Sequence, residues 1–353
     1  MSTQRCIYCS EEKDASAFNR DHVLPDAFGA FTDNLPRLHC VCRACNQYFG
    51  DHVEIIFHRG SIEAIHRILT GLKPPHEADK LRRDRLSFTV AVPGDWHGVR
   101  LEFQVEEDSL VVLPVPQVGF LPKGQSGWIY MTDSELADPS KHLPDDVDKI
   151  KLFAPSDAVL DHLMALLGER GLPFHKQGEL SPPPAEGRSV LVDHHFPMDL
   201  ITRRSVTKIA FNYLACIAGP TFALRADFDV IRAFIRQGIL SDYSIMQVNY
   251  QPILFDDLPT QRQTNGHLLT LDWPGSQDHI VARVSLYNLL TYTVLLTRHC
   301  SALWQPLRQG HHFDVSARRV APLFHSSLIV PPPYMKRALG RAELLARPLI
   351  RIL

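Results

Sequence analysis

The chain has 353 residues, of which 45% are hydrophobic and 22% are charged. This length and composition allow a buried core, indicate two or three domains and argue against long disordered tails. The formal net charge of −2 argues against a protein that coats DNA regardless of sequence.

The chain contains no apolar run of about 20 residues, so membrane insertion is not expected. The first residues, Met1-Ser2-Thr3-Gln4-Arg5, lack the apolar stretch of a secretion signal. We therefore expect a cytoplasmic protein, in which cysteines serve as metal ligands or buried thiols because disulfides are rare there.

The first predicted segment covers residues 1–72. It opens with paired cysteines and ends in a helical pattern, which Gly60-Ser61 is expected to break into two helices. A polar stretch at 73–80 is interpreted as a linker. Residues 73–178 then form a mainly β segment with one helix, which Ser156 is expected to cap.

The third predicted segment, residues 179–353, mixes helices and strands and has no assigned role. Its clearest helix has an apolar face at i, i+3, i+4 and i+7 spacing, formed by Val206, Ile209, Ala210, Tyr213, Leu214 and Ile217. A second helix is expected to begin at an Asp227 cap and to stop at Gly238. Strands are expected near residues 244–254, 267–273 and 280–296.

Two C-x2-C pairs, Cys6/Cys9 and Cys42/Cys45, are the most informative feature of the sequence. They supply the four thiolates that a closed, tetrahedral zinc site needs. Residues 10–41 separate the pairs, so a folded segment is expected between them. Cys40 is an alternative ligand that we interpret as a spare buried thiol. A redox pair or buried thiols would be the alternative reading of the cysteines.

The segment between the pairs contains Asp21-His22-Val23-Leu24-Pro25 and Asp33-Asn34-Leu35, and the second pair continues as Cys45-Asn46 with Gly50 four residues later. In this order the elements resemble the zinc-bound branch of the HNH endonuclease family, over about residues 6–54. The resemblance implies an α+β protein: a treble-clef-like ββα-metal module followed by a larger mixed α/β region. It also implies hydrolysis of DNA phosphodiester bonds, by nicking or by cutting both strands.

The resemblance assigns roles residue by residue. His22 would be the general base that activates water. Asp21 and Asn46 would hold a catalytic Mg²⁺ or Mn²⁺, since hard cations prefer oxygen ligands, and Asn34 would brace the loop between them. The family name implies histidine where this chain has Asn46, which favours an oxygen-preferring metal. Neighbours on a regular strand point to opposite faces, so Asp21 and His22 can share a site only if the strand bends or ends there.

The N-terminal segment is not basic, so phosphate contacts must come largely from elsewhere. The candidates elsewhere are Arg82, Arg83, Arg203 and Arg204, the last two together with Lys208, and the candidates within the segment itself are His39 and Arg43. Nuclease modules fused to large unassigned regions suggest, by analogy alone, an effector of bacterial defence against phage with protein partners from that system.

Two rival readings remain open. In one, the N-terminal segment is a non-catalytic zinc finger that binds nucleic acid or protein. In the other, residues 76–353 carry the main activity and the zinc domain is a scaffold.

Overall fold

The structure is a computed structural model that describes residues 2–29, 31, 37–82, 85–106, 109–172, 192–195, 197–239, 245–249, 254–255, 266–273, 279–300, 307–323 and 328–329. Two compact units are present. The first contains the described residues of Met1–Lys73 and Pro197–Gly340, and the second those of Pro74–Phe196. Helices and several sheets occur together, which confirms the predicted α+β class.

The N-terminal part of the first unit consists of two hairpins followed by three helices. Its strands are β1 (Thr3–Arg5), β2 (Glu12–Asp14), β3 (Phe18–His22) and β4 (Arg37–Cys42), and its helices are α1 (Arg43–His52), α2 (Ile56–Arg59) and α3 (Ile62–Leu69). β1 pairs with β2 and β3 with β4, both antiparallel. The break between α2 and α3 falls at Gly60-Ser61, as predicted.

The C-terminal part of the first unit is a helical layer followed by an antiparallel sheet. The helices are α6 (Leu200–Ala218), α7 (Pro220–Ala223) and α8 (Asp229–Gln237); the strands are β12 (Met246–Asn249), β13 (Leu254–Phe255), β14 (Gly266–Trp273), β15 (Ile280–Leu286), β16 (Leu290–Thr297), β17 (Leu307–Asp314), β18 (Arg319–Leu323) and β19 (Leu328–Ile329). Six of these strands form one sheet in the order β12-β16-β15-β14-β17-β18, and β13 pairs with β19.

Helix α6 is buried on nearly all sides. It packs on β14, β15 and β16 with one face and on β4 and α2 with another. The buried set therefore extends beyond the predicted apolar stripe to the polar residues Thr202, Ser205, Thr207, Lys208 and Asn212. A helix enclosed by a sheet on one side and by β4 and α2 on the other has no solvent-facing side over most of its length.

Two details of this part differ from the sequence prediction. Asp227 does not cap α8: it lies in a short 3-10 turn, Ala226–Phe228, and accepts a hydrogen bond from Nε of Arg225 at 2.8 Å. The predicted strand 280–296 is a hairpin, because Tyr287 and Asn288 both adopt φ of 51° and turn the chain between β15 and β16. The predicted stop at Gly238 is confirmed, with φ of 73°.

The described residues of the second unit are mainly β and form two sheets and two helices. Its strands are β5 (Ser87–Val90), β6 (Arg100–Glu106), β7 (Ser109–Pro114), β8 (Gln117–Pro122), β9 (Ile129–Thr132), β10 (Val147–Phe153) and β11 (Val192–His195), and its helices are α4 (Asp133–Ala137) and α5 (Asp157–Glu169). The sheets have the orders β11-β5-β6-β7 and β10-β8-β9. Ser156 caps α5 as predicted, its Oγ accepting from the Val159 N–H at 3.4 Å.

The three-segment division at residues 1–72, 73–178 and 179–353 stays a prediction. The described structure packs most of the first and third segments into one compact unit, because α6 lies directly on the N-terminal hairpins and helices. Among the described residues, no helix combines the length and apolar character that a bilayer crossing requires.

Candidate active site and metal centre

Four cysteine sulfurs converge at the tip of the N-terminal hairpins. The Sγ atoms of Cys6, Cys9, Cys42 and Cys45 all lie within 4.8 Å of one another. The Cys9 and Cys42 sulfurs are 3.9 Å apart, close to the edge of about 3.8 Å that four Zn–S bonds of about 2.3 Å give in a tetrahedron. Donor type, number and spacing therefore fit a structural zinc ion.

Hydrogen bonds within the cysteine cluster stabilise a thiolate at Cys6, as a metal ligand requires. The Cys6 Sγ accepts the Cys42 N–H at 3.4 Å. The Cys45 side chain, together with backbone N–H groups, lowers the pKa of Cys6 to about 4 despite its burial. Cys40 stands outside the cluster, and burial raises its pKa to about 12, as expected of a neutral thiol. The interpretation of Cys40 as a buried spare thiol agrees with this arrangement.

Asp21 lies near the end of β3, where it points into the interior of the unit and is 5% exposed. Its Oδ2 accepts from Lys208 Nζ at 3.0 Å and from Asn212 Nδ2 at 3.1 Å, and its Oδ1 lies 3.3 Å from the same ammonium group. Lys208 and Asn212 are one turn apart on α6. The carboxylate is thus bound by two donors that lie about 190 residues away in the sequence.

Lys208 also contacts a second carboxylate. Its Nζ lies 3.0 Å from Glu54 Oε1, and the Lys208 side chain is fully buried. Burial alone would lower the pKa of Lys208, but the attraction of Asp21 and Glu54 outweighs it and raises the pKa above its usual value. Burial raises the pKa of Glu54. The cluster therefore contains a permanently charged ammonium group between two acidic side chains.

His22 follows Asp21 but meets a different partner. Its Nδ1 is 3.1 Å from Asp26 Oδ1, and its side chain is 26% exposed. Its carbonyl oxygen accepts from Asn212 Nδ2 at 3.0 Å. The imidazole is thus half-open to solvent and held on one nitrogen by a carboxylate, while its backbone is tied to α6.

Asn46 lies in the first turns of α1 and approaches β3 from the helix side. Its Nδ2 donates to Asn19 Oδ1 at 3.2 Å and lies 3.5 Å from the carbonyl oxygen of Arg20. Asn46 thus contacts β3 at Asn19 and Arg20, the two residues directly before Asp21 and His22, and the end of β3 together with the start of α1 is called the corner of the unit below. A bulge in this hairpin sets His39 and Cys40 of β4 against the single residue Arg20. Asn34, the fourth predicted residue, lies outside the described residues.

Residues 6–60 match the family model described as HNH endonuclease. The match starts at the first zinc cysteine and ends just after α2, so it contains the cysteine cluster and the Asp21–His22 pair. These residues are called the HNH module below. No curated protein and no solved structure matches the chain.

The HNH module does not fit a catalytic divalent cation at Asp21 in this arrangement. The carboxylate already holds the Lys208 ammonium at 3.0 Å. Two unit charges about 4 Å apart interact by about 4 kcal/mol at the effective dielectric constant of a protein. A divalent cation bound to Asp21 would be repelled by the Lys208 ammonium twice as strongly as a monovalent one. The amide group of Asn46, in turn, donates to Asn19 rather than sharing a partner with Asp21.

The residues predicted to contact phosphate differ in their exposure to solvent. His39 and Arg43 are exposed on the HNH module, and Arg82 is exposed in the second unit, whereas Arg83 lies outside the described residues. Arg203 is half-buried, and its Nε donates to the Met198 carbonyl at 3.0 Å.

Arg204 and Lys208 are not supported as phosphate contacts. The Arg204 guanidinium donates to the carbonyls of Ile235 and Arg236 at 3.0 and 2.7 Å and to the Tyr48 hydroxyl at 2.9 Å. Lys208 is buried beside Asp21 and Glu54. Both side chains lie on the enclosed helix α6, so they bind other groups of the same unit and are not open to a phosphate.

Four residues of this corner were not assigned roles from the sequence: Asp26, Glu54, Asn212 and, as a partner of Asp21, Lys208. Asp26 was within reach of sequence reasoning, since it lies four residues after His22. The contacts of Asn212 and Lys208 cannot be recognised from the neighbouring sequence, because they depend on how α6 packs on β3.

Proposed function

We propose that the chain is a metal-dependent endonuclease that hydrolyses DNA phosphodiester bonds with its HNH module. The observation that carries the proposal is the position of His22. A part-exposed imidazole, held by Asp26, lies inside the stretch that matches the HNH endonuclease family, on the strand whose first residue, Phe18, pairs with Cys42 of the cysteine cluster.

In this proposal His22 is the general base. When its Nδ1 carries the proton and donates to Asp26, Nε2 keeps a lone pair that can accept a proton from water. The proton then resides on Nε2 while the hydroxide attacks phosphorus and the bond from phosphorus to the 3′ oxygen breaks; the departing oxygen takes a proton from water. Asn212 fixes the carbonyl of His22 and thereby the end of β3. The requirement for Mg²⁺ or Mn²⁺, and its ligation by Asp21 and Asn46, stay predictions.

The zinc ion of this proposal is structural. The four thiolates close the coordination sphere, so no position is left for a water molecule or a substrate. Its role is to hold β1–β2 and the start of α1 together, which sets the distance between β3 and Asn46.

A nicking assay tests the proposal. Full-length zinc-loaded protein is incubated with supercoiled plasmid in Mg²⁺, in Mn²⁺ and with a chelator. We expect divalent-dependent conversion to open-circular or linear DNA, and a loss of about 10²–10⁴ in rate for His22→Ala, the usual contribution of a general base. His52→Ala, at an exposed histidine of the same module that is not among the candidate phosphate contacts, is the matched control. Cutting by His22→Ala at the wild-type rate would refute the assignment.

A second candidate function is a non-catalytic zinc module that binds nucleic acid or protein. The contact between Lys208 and Asp21 favours it, because it occupies the predicted metal ligand. This candidate predicts DNA binding that His22→Ala leaves intact, without divalent-dependent nicking by the wild type. Gel-shift and nicking assays on the same two proteins separate the candidates.

Several finer predictions rest on the resemblance or on analogy: cutting of one or both strands, a part in defence against phage with partner proteins, and a cytoplasmic location. The DNA preference can be measured by offering single-stranded RNA, single-stranded DNA and duplex DNA of one sequence to the same preparation. Equal cutting of all three would replace the DNA assignment by a general phosphodiesterase activity.

A further inference from the structure

The Asp21 carboxylate holds a cation that belongs to the protein itself. The ammonium of Lys208 lies between Oδ2 of Asp21 and Oε1 of Glu54, at 3.0 Å from each. The side chain of Lys208 is fully buried, and those of Asp21 and Glu54 are 6% and 13% exposed. Water therefore contributes little to solvating these three charges.

The position of the ammonium group is fixed by its surroundings. Lys208 lies in the middle of α6, which is packed between the six-stranded sheet and the HNH module. The Phe49 ring of α1 lies 5.4 Å from Nζ and lines the ammonium site. Asn212, one turn further along α6, binds the same oxygen of Asp21. A change of side-chain rotamer alone would leave two buried carboxylates without a counter-charge, which is costly.

We propose that Lys208 is the resident counter-cation of Asp21, and that the Lys208 ammonium and a divalent cation exclude each other there. The arrangement of α6 on the HNH module is then a closed state. Loading of a metal ion on Asp21 requires the ammonium to withdraw, by a shift of α6 relative to β3. The inference rests on the proposed function only in taking Asp21 as the metal ligand.

Metal binding in the absence of DNA tests the proposal. Lys208→Met removes the ammonium and keeps an unbranched side chain of similar length. Mn²⁺ is titrated into full-length zinc-loaded proteins and the free ion is followed by electron paramagnetic resonance. We expect Lys208→Met to gain one Mn²⁺ site, tighter than any wild-type site by about two orders of magnitude or more, and Lys208→Met/Asp21→Asn to lose it.

The single variants complete the test. In the wild type, Asp21→Asn is expected to leave Mn²⁺ binding unchanged, since Lys208 already occupies the carboxylate. Lys73→Met, at an exposed lysine of the same unit, is the matched control and is expected to gain no site. Asp21-dependent Mn²⁺ binding by the wild type as tight as that of Lys208→Met would overturn the proposal.

Folding of the variant is measured by circular dichroism and zinc content. If Lys208→Met folds only when Mn²⁺ is present, the ion has replaced the ammonium and the proposal is supported. If it does not fold at all, Lys208→Met/Glu54→Gln, with one buried carboxylate fewer, takes its place. A folded variant of either kind without a new Mn²⁺ site contradicts the proposal. Absence of nicking leaves this result untouched, so the two hypotheses fail separately.

Discussion

Oδ1 of Asp26 lies 3.1 Å from Nδ1 of His22, one turn of chain beyond the end of β3. The Asp26 side chain is 74% exposed, so solvent screens its charge and its main contribution is to orient the imidazole. Asp26→Asn keeps an oxygen acceptor at this place, whereas Asp26→Leu removes it.

We therefore expect graded losses of nicking activity from these variants. Asp26→Asn should retain most of the rate, and Asp26→Leu should lose about tenfold, the equivalent of one hydrogen bond. Asp51→Asn, on the exposed side of α1, controls for the loss of an acidic charge. Nicking rates under single-turnover conditions give the comparison, and a loss with Asp26→Asn as large as with His22→Ala would mean that the charge itself is essential.

Zinc removal should unfold the HNH module, because thiolate–zinc binding in small domains contributes folding free energy directly. Cys42→Ser should reduce the zinc content below one ion per chain and lower the melting temperature. Cys40→Ala removes a buried thiol outside the cluster and should retain one zinc ion. Elemental analysis and thermal melts of both variants provide the measurement. Loss of zinc from Cys40→Ala with retention in Cys42→Ser would reverse the ligand assignment.

Asn212 joins three parts of the unit through one amide. Its Nδ2 donates to Asp21 and to the His22 carbonyl, and its Oδ1 accepts from the Tyr8 hydroxyl at 2.6 Å. Asn212→Asp replaces the donor by an oxygen that faces two acceptors. We expect the free energy of unfolding to fall by about 3 kcal/mol or more, as measured by urea denaturation.

Two further variants provide a scale for the loss of unfolding free energy in Asn212→Asp. Tyr8→Phe removes only the hydroxyl and should cost about 1–3 kcal/mol, because it leaves the buried Oδ1 of Asn212 without its donor. Gln47→Glu makes the same amide-to-acid change at an exposed position of α1 and should be nearly neutral. If Asn212→Asp were as mild as Gln47→Glu, the Asn212 amide would not be the link between α6 and β3.

His267 should make stability depend on pH. Its Nδ1 accepts from the Tyr287 N–H at 3.0 Å and its Nε2 lies 3.1 Å from the Phe28 carbonyl, so the geometry selects the neutral ring. Burial lowers the pKa of His267 to about 3. The unfolded chain, with a usual histidine pKa of about 6.5, therefore binds the proton first as the pH falls.

The stabilising contribution of neutral His267 is complete above pH 6.5 and is lost as the pH falls from 6.5 towards 3. Between pH 6 and pH 4 the wild type should lose about 2 kcal/mol more stability than His267→Gln, since each pH unit contributes up to about 1.4 kcal/mol. His52→Gln, at an exposed histidine, should follow the wild type. Parallel stability curves for the wild type and His267→Gln would contradict the prediction.

The sequence was sufficient to predict features whose signals are local. Each zinc cysteine lies three residues from its pair partner, and α5 and α8 have a capping serine or a terminating glycine next to an apolar pattern. Strand β8 was not predicted, because its sequence contains Gly119 and Pro122, two residue types that count against a strand interior.

The environment of Asp21 could not be predicted for a different reason. Lys208 belongs to a basic run that, by composition, fits phosphate contact as well as burial. Only the packing of α6 between the sheet and the HNH module decides between phosphate contact and burial. That packing depends on contacts between residues far apart in the sequence. The carbonyl partners of Arg204 were not foreseen for the same reason, since they come from the end of α8.

The hydrogen bonds from α6 to β3 also bear on the order of synthesis. A ribosome completes the HNH module's own residues before it reaches Lys208, whose ammonium contacts Asp21 and Glu54. Until that residue is synthesised, the nascent N-terminal hairpins and helices therefore carry two carboxylates without their buried counter-charge. Folding around Asp21 therefore depends on synthesis of α6. A short N-terminal fragment would lack the ammonium group that contacts Asp21 and Glu54 in the folded chain.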